Sequence, residues 1–130
     1  MKHVGLCGLA GAGKSTVARI LVSEFGYVRR PFAYPLKSMV GALGVPRDIL
    51  DGTREDKEVP HPALGGHTPR FVMQTLGTEW GRNILGENFW VDLWKFNANS
   101  LGRTVADDVR FQNEAEAVRS LGGVIIRINR

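Results

Sequence analysis

Short apolar segments alternate with longer amphipathic segments along the chain. Four segments have the length and apolar character of β-strands: 3–8, 27–32, 103–107 and 124–128. Five segments repeat apolar positions at spacings of three and four, as helices with one buried face do: 13–25, 35–43, 70–85, 88–99 and 113–121. This alternation predicts an α/β fold built on a parallel sheet.

Finer expectations follow from single positions in these segments. We expect the strand at 124–128 to be buried, Gly26 to end the first helix and Asn113 to cap the last one. The inward side chains of the first helix are predicted to be Val17, Ile20, Leu21 and Phe25.

The regular pattern stops between residues 44 and 69, where proline, glycine and charged residues are frequent. Such a composition is typical of long connections, which are often functional or mobile. We therefore predict a mobile loop with little regular structure there, on the substrate side of a single domain that spans residues 1–130.

Basic residues outnumber acidic ones by 17 to 13, which gives a net charge of +4, and 12 of the 17 are arginine. Arginine suits phosphate oxygens because its donors form a planar fork. The basic residues are scattered rather than clustered, which favours a small phosphorylated ligand over nucleic acid. No apolar run approaches the roughly 18 residues of a membrane helix. We expect no signal peptide, no membrane or nucleic-acid partner, and a cytoplasmic protein.

Residues 8–15 match the pattern G-x-x-x-x-G-K-[ST] between a predicted strand and a predicted helix. Glycines let several backbone N–H groups point at one phosphate, and the helix N-terminus favours negative charge. Lys14 would reach the β- and γ-phosphates, and Ser15 would ligate Mg²⁺. The pattern predicts a P-loop for ATP, with GTP as the weaker alternative. The predicted ATP-binding residues are Gly11, Ala12, Gly13, Lys14, Ser15 and Thr16.

Magnesium on a P-loop usually needs a carboxylate at the end of a neighbouring strand. Asp107 and Asp108 both follow the predicted strand 103–107. A slip of one residue exchanges the faces of the sheet on which the two side chains lie. The residues alone therefore leave both candidates open.

The predicted helix 70–85 carries two stripes. One is apolar and should face the core: Val72, Met73, Leu76, Trp80 and Ile84. The other combines arginine with small residues: Arg70, Gln74, Gly77, Thr78, Gly81, Arg82 and Leu85. Glycine inside a helix costs about 1 kcal/mol relative to alanine, so something should approach this stripe closely. A nucleotide and another helix are both open as the approaching group.

Trp90 and Trp94 on the next helix are either core residues or a platform for a base.

Together with the P-loop, several blocks resemble the deoxynucleoside monophosphate kinases common in bacteriophages. They are 32–37, 69–70, 74–82, Trp90, 108–115 and the glycine pair 122–123. The resemblance implies a three-layer P-loop fold of the nucleoside monophosphate kinase type. It also implies that ATP, with Mg²⁺, phosphorylates a deoxynucleoside 5′-monophosphate to the diphosphate.

The resemblance also implies roles for individual residues. It places four residues in the monophosphate and base site: Gly77, Thr78, Trp90 and Asp108. It makes Arg70 and Arg110 phosphate contacts and favours Asp108 over Asp107 beside the metal. We add Arg82 as a further cation for the acceptor phosphate. The expected catalytic residues are Lys14, Arg70, Arg110 and Asp108, with Ser15 and Asp108 on Mg²⁺, directly or through water.

Two departures from the family matter. Tyr34 stands where the family often has an acidic residue. Family members also usually extend further, so we expect a C-terminal lid and strand to be missing and the sheet to be incomplete at that edge. An open edge would favour a homodimer. The alternatives are a nucleotide-binding remnant or switch without catalysis, and another small-molecule kinase similar to dephospho-coenzyme A kinases.

Overall fold

A computed structural model describes residues 2–9, 11–52 and 54–129, apart from the side chain of Arg54. Within these residues the elements are, in chain order, β1 (Val4–Cys7), α1 (Lys14–Phe25), β2 (Val28–Arg29), α2 (Tyr34–Ala42), α3 (Arg47–Leu50), α4 (Arg54–Lys57), a 3₁₀-helix (Pro62–Leu64), α5 (Pro69–Gln74), a π-helix (Thr75–Leu85), α6 (Phe89–Leu101), β3 (Thr104–Ala106), α7 (Gln112–Ser120) and β4 (Val124–Arg127). The chain divides into two compact units, Met1–Phe32 with Trp90–Arg130, and Ala33–Phe89.

The first unit is built on a parallel four-stranded sheet in the order β2-β3-β1-β4. On one face, Leu6 and Val105 pack against Ala18 of α1. On the other face, Ala106 packs with Trp94 of α6 and with side chains of α7. The arrangement is helix, sheet, helix, so the predicted α/β fold with a parallel sheet in three layers is confirmed.

The buried stripe of α1 is narrower than the sequence predicts. Val17 and Leu21 pack against the sheet around the fully buried Ala18. Ile20 and Phe25 were expected to face inward but are 43% and 55% exposed. The reason is that Ala18, a small residue that the pattern did not single out, lies at the centre of the contact. Gly26, with φ 74°, ends the helix as expected.

The strand β4 lies at the edge of the sheet instead of inside it. Ile125 faces α7, but Val124 and Ile126 point the other way and are 37% and 40% exposed. The prediction of a buried strand was therefore wrong. Apolar composition alone does not say whether a strand has neighbours on both sides, and β4 pairs only with β1 among the described residues.

The N-cap of helix α7 lies two residues earlier than expected. Its N-cap position is Phe111, not Asn113, and the phenylalanine side chain has no acceptor to offer. Instead the carboxylate of Glu114 accepts hydrogen bonds from the backbone N–H groups of Arg110 and Phe111, at 2.8 and 3.0 Å. A residue in the first turn thus supplies the cap that was assigned to Asn113.

The second unit has its own core of Val40, Val45, Leu50 and Leu64, against which Val72, Met73 and Leu76 pack. The segment 44–69 contains α3, α4 and the 3₁₀-helix, so the expectation of little regular structure was wrong. Its short helices form because Leu50 and Leu64 are almost fully buried and anchor the segment to this core. Its mobility stays a prediction.

The predicted helix 70–85 changes its bonding pattern half-way. After α5 the chain continues as a π-helix, with bonds between residues five apart such as Gly86 N–H to Gly81 O at 3.0 Å. Val72, Met73 and Leu76 of the predicted core stripe pack on the core, and Trp80 is half-buried against Phe89. The stripe fails at its end, because the wider turn rotates later residues away from their predicted positions. Ile84 was expected in the core and is 72% exposed.

Candidate nucleotide-binding site

The loop after β1 has the backbone conformation that its glycines permit. Gly8, Gly11 and Gly13 have φ angles of 140°, 79° and 104°, which other residues adopt only with strain. The N–H of Ala12 donates to the carbonyl of Leu9 at 3.1 Å, which closes a turn inside the loop. Ala10 lies outside the described residues. The strand, loop and helix follow one another as the sequence motif requires.

Lys14 reaches back across this loop. Its Nζ donates to the carbonyl oxygen of Gly8 at 2.7 Å, so the ammonium group is held at the start of the loop. Ser15 and Thr16 are exposed in the first turn of α1, and Arg19 Nη2 lies 3.5 Å from Thr16 Oγ1. Gly13 has no side chain with which to cap the helix, and its first turn contains no acidic residue. This helix N-terminus therefore favours an anion.

Ile128 lies against the loop that follows β1. The sequence did not indicate this residue. Its N–H donates to Cys7 O at 2.9 Å, and its carbonyl oxygen would lie 2.5 Å from a Cβ added at Gly8. Its Cγ2 would lie 3.9 Å from a Cβ added at Gly13. Only the pairing of β4 with β1 brings Ile128 here, so the sequence offered no signal beyond an apolar residue after a strand.

Two consecutive carboxylates follow β3 and have different hydrogen-bond partners. Arg29 is in register with Val105, whose side chain packs on α1, so Arg29 and Asp107 lie on the α1 face. Asp107 Oδ2 accepts from Arg29 Nε at 2.9 Å and contacts Arg29 Nη2 at 2.6 Å. Asp108 Oδ1 accepts from the backbone N–H of Phe32 at 2.9 Å. The two acids that the sequence could not separate therefore have different partners.

Trp94 belongs to the core of the first unit. It is 2% exposed, its Nε1 donates to Arg30 O at 2.8 Å, and it stacks on Phe32 with ring centroids 4.7 Å apart. Trp90, one turn earlier on α6, is half-buried. Arg110 has an exposed side chain close to the start of α7. The first unit thus contains the loop residues, Asp108, Arg110 and Trp90.

The second unit contains the remaining predicted site residues, Arg70, Gly77, Thr78 and Arg82. Arg70 is exposed on α5, where its Nε lies 3.3 Å from Glu58 Oε1. A Cβ added at Gly77 would lie 3.4 Å from Leu36 Cδ2, so α2 approaches the π-helix closely at this glycine. Close helix packing, one of the two explanations left open for the small residues, therefore applies at Gly77. Thr78 is exposed and Arg82 half-buried.

Three charged side chains of the second unit interact with one another near Tyr34. Asp51 accepts hydrogen bonds from Lys37 Nζ and Arg47 Nε, each at 3.0 Å. The guanidinium of Arg47 lies 5.5 Å from the centre of the Tyr34 ring. Burial alone would raise the pKa of Asp51, but the hydrogen bonds from Lys37 and Arg47 outweigh it and lower that pKa. Tyr34 thus contacts a basic side chain, that of Arg47, at the position where the family often has an acidic residue.

A relative of known name decides the family. A protein of Acanthamoeba polyphaga mimivirus named "Putative deoxynucleotide monophosphate kinase" is 37% identical over 146 residues, an alignment that covers 100% of this chain and 75% of the viral protein. The chain belongs to the deoxynucleotide monophosphate kinase family. No protein-family model matches the chain.

Membership of the deoxynucleotide monophosphate kinase family confirms the kinase resemblance that the motifs indicated and supports a phosphotransferase. The bacteriophage type and the missing C-terminal part stay predictions. The roles of the individual site residues also stay predictions. Every helix in the described residues is too short or too polar to cross a membrane.

Kinases of this family would be expected to use Mg²⁺ together with the nucleotide. Within residues 2–9, 11–52 and 54–129, no group of three or more His, Cys, Asp or Glu side chains could hold a metal ion. Mg²⁺ usually binds one or two protein oxygens and fills its other positions with water and phosphate oxygens. The exposed hydroxyl of Ser15 and the half-buried carboxylate of Asp108 are donors of this kind.

Proposed function

We propose that the chain transfers the γ-phosphoryl group of ATP to a deoxynucleoside 5′-monophosphate and forms the diphosphate. The contact of Lys14 Nζ with Gly8 O, inside a loop of left-handed glycines, is the main support for this proposal. It keeps a cation beside the backbone N–H groups of the loop, which is how a polyphosphate is recognised. The name of the mimivirus relative supports a deoxynucleotide as acceptor.

The donor would be bound by the first unit. On ATP binding, Lys14 exchanges the Gly8 carbonyl for oxygens of the β- and γ-phosphates, while Gly11, Ala12, Gly13 and the first turn of α1 offer backbone N–H groups. Thr16 lies beside the α-phosphate. Ser15 and Asp108 are the residues that would hold Mg²⁺, which supplies positive charge to offset the phosphates. Asp108 can keep its hydrogen bond to Phe32 and act through a bound water.

The residues proposed for the acceptor are those that the family resemblance indicates, together with Arg82. Arg70, Arg82 and Arg110 neutralise phosphate oxygens, and Gly77, Thr78 and Trp90 contact the sugar and base. Arg70 already contacts an anion, the carboxylate of Glu58. Both side chains of this pair are more than two-fifths exposed, so the pair contributes little and a phosphate can displace it.

The reaction depends on how the protein positions its two substrates more than on covalent chemistry by its side chains. An oxygen of the acceptor phosphate forms a bond to the γ-phosphorus, and the bond from that phosphorus to the β–γ bridging oxygen breaks. ADP leaves with the electron pair. Lys14 and the arginines offset the charge on the transferring group. The mobile loop proposed for 44–69 would close over the acceptor and exclude water.

A single-turnover assay with Mg·ATP and each of the four common deoxynucleoside monophosphates tests this proposal. We expect diphosphate from at least one acceptor, with dephospho-coenzyme A inactive. Lys14→Met should lower the rate at least about a hundredfold, the scale for losing one electrostatic donor. Lys2→Met is the matched control, because Lys2 is exposed outside the loop and should leave the rate unchanged.

Two outcomes would contradict the proposal. ATP binding by calorimetry without diphosphate from any acceptor would instead indicate a nucleotide-binding remnant or switch. Turnover of dephospho-coenzyme A alone would indicate the other class of small-molecule kinase.

A further inference from the structure

Arg29 and Asp107 form an ion pair that the mechanism above does not use. The side chain of Asp107 is 6% exposed and that of Arg29 is 50% exposed. Nε and Nη2 of Arg29 both approach Oδ2 of Asp107, at 2.9 and 2.6 Å. Two charged donors on one carboxylate restrict its orientation more than a single contact does. The pair joins the ends of β2 and β3 across the α1 face of the sheet.

Asp108 makes a second connection, to the segment that follows β2. Its Oδ1 accepts from the N–H of Phe32, three residues after Arg29. Phe32 is itself held in place, since it is 4% exposed and stacks on Trp94. Because the two acids are adjacent in the chain, the orientation of one restricts the backbone that presents the other.

We propose that Arg29 and Asp107 are positioning residues that hold the carboxylate of Asp108 in place. Without Arg29, a buried carboxylate would lose its counter-charge, which is costly. The end of β3 would then turn to bring Asp107 to water. The same rotation would draw Asp108 away from Phe32. The effect on geometry stands by itself, and the effect on phosphoryl transfer rests on the proposed function.

The Phe32 amide is a direct probe of Asp108, because it donates to Asp108 Oδ1. We would measure its hydrogen-exchange rate by NMR, relative to the amide of Leu6 in β1, which corrects for global stability. Arg29→Met and Asp107→Asn should each raise this ratio about tenfold, the scale for a local opening. Arg29→Lys should fall between, because it keeps the charge but loses the paired donors.

The matched control is Arg103→Met. Arg103 lies just before β3, at its other end, where Nη1 donates to Phe25 O at 2.9 Å and the guanidinium lies 5.8 Å from the centre of the Tyr27 ring. Its loss should lower stability without changing the exchange ratio of Phe32. The double variant Arg29→Met/Asp107→Asn removes both charges and provides a folded sample should the single Arg29 variant not fold. The exchange ratio of the double variant should be no higher than the larger of the two single-variant ratios.

Kinetics supply the second measurement. Arg29→Met and Asp107→Asn should lower kcat about tenfold and leave the KM for ATP within about twofold, since Lys14 and the loop are untouched. If the wild-type chain forms no diphosphate, the proposed function fails, and the Phe32 amide alone still decides the positioning role. An unchanged exchange ratio in both Arg29→Met and the double variant would overturn that role. The role would also be overturned if the effects of the two single substitutions on the exchange ratio added up in the double variant.

Discussion

His3 is a buried histidine that should make stability depend on pH. It is 6% exposed, packs edge-on against Trp94 and its Nδ1 has no hydrogen-bond partner among the described residues. Burial lowers its pKa below the ordinary value of 6.5. Below pH 6.5 the unfolded chain therefore binds a proton that the folded chain resists, so stability should fall as the pH falls through 6.5 towards the lowered value.

Urea denaturation at pH values above and below 6.5 tests this expectation for His3→Phe, which cannot take up the proton. The loss of stability on acidification should be smaller than in the wild type. His67→Phe is the control for the substitution itself, because it makes the same exchange at an exposed position. Identical slopes for His3→Phe and wild type would contradict the assignment.

Side-chain identity at the end of β3 was predictable, but side-chain direction was not. Two adjacent acids after an apolar segment indicate a functional strand end from sequence alone. Which acid faces α1 depends on the register of three strands, and these pairings join residues more than 70 positions apart. The partners Arg29 and Phe32 follow from the same register, so no local pattern could have named them.

The cap of α7 is the element-scale feature with the clearest energetic consequence. Glu114 is 8% exposed and accepts from two backbone N–H groups, one of them on Arg110. Glu114→Ala should destabilise the protein by about 2 kcal/mol, the scale of hydrogen bonds to a charged group. Glu114→Gln keeps an acceptor oxygen and should recover part of the loss. Denaturant midpoints provide the measurement.

Glu116→Ala is the matched control for the cap, because Glu116 is exposed on the same helix and accepts only from a side chain, Gln112. Its effect should stay within about 0.5 kcal/mol, as at ordinary surface positions. Equal losses at the two glutamates would show that the cap contributes nothing beyond helix propensity.

Elements were predictable where a single period continues through them. The strands and most helices were expected within a few residues of their observed bounds. In the segment 69–85, not all of the side chains that were predicted to be buried are buried. The prediction assumed 3.6 residues per turn, and this repeat changes where the backbone hydrogen bonds join residues five apart. At this change Thr75 Oγ1 donates to Phe71 O at 2.8 Å. A threonine that bonds to the preceding turn has no pattern of its own in the sequence.

At the scale of the whole molecule, the residues proposed for the donor all belong to the first unit. All of them except Asp108 come from one contiguous motif, so the sequence could group them by itself. The acceptor residues come from both units, so only the resemblance to a family could group them. This division predicts separate responses to the two substrates.

Hydrogen exchange followed by mass spectrometry would show those responses. Mg·ATP alone should slow exchange in residues 8–17, because phosphates take up the N–H groups of the loop and first helical turn. A deoxynucleoside monophosphate alone should slow exchange in 69–85 and leave 8–17 at its free rate. Lys14→Met should lose the first effect and keep the second, whereas Arg70→Met should do the opposite. Protection of 8–17 by the monophosphate alone, retained in Lys14→Met, would mean that donor and acceptor residues are not divided in this way.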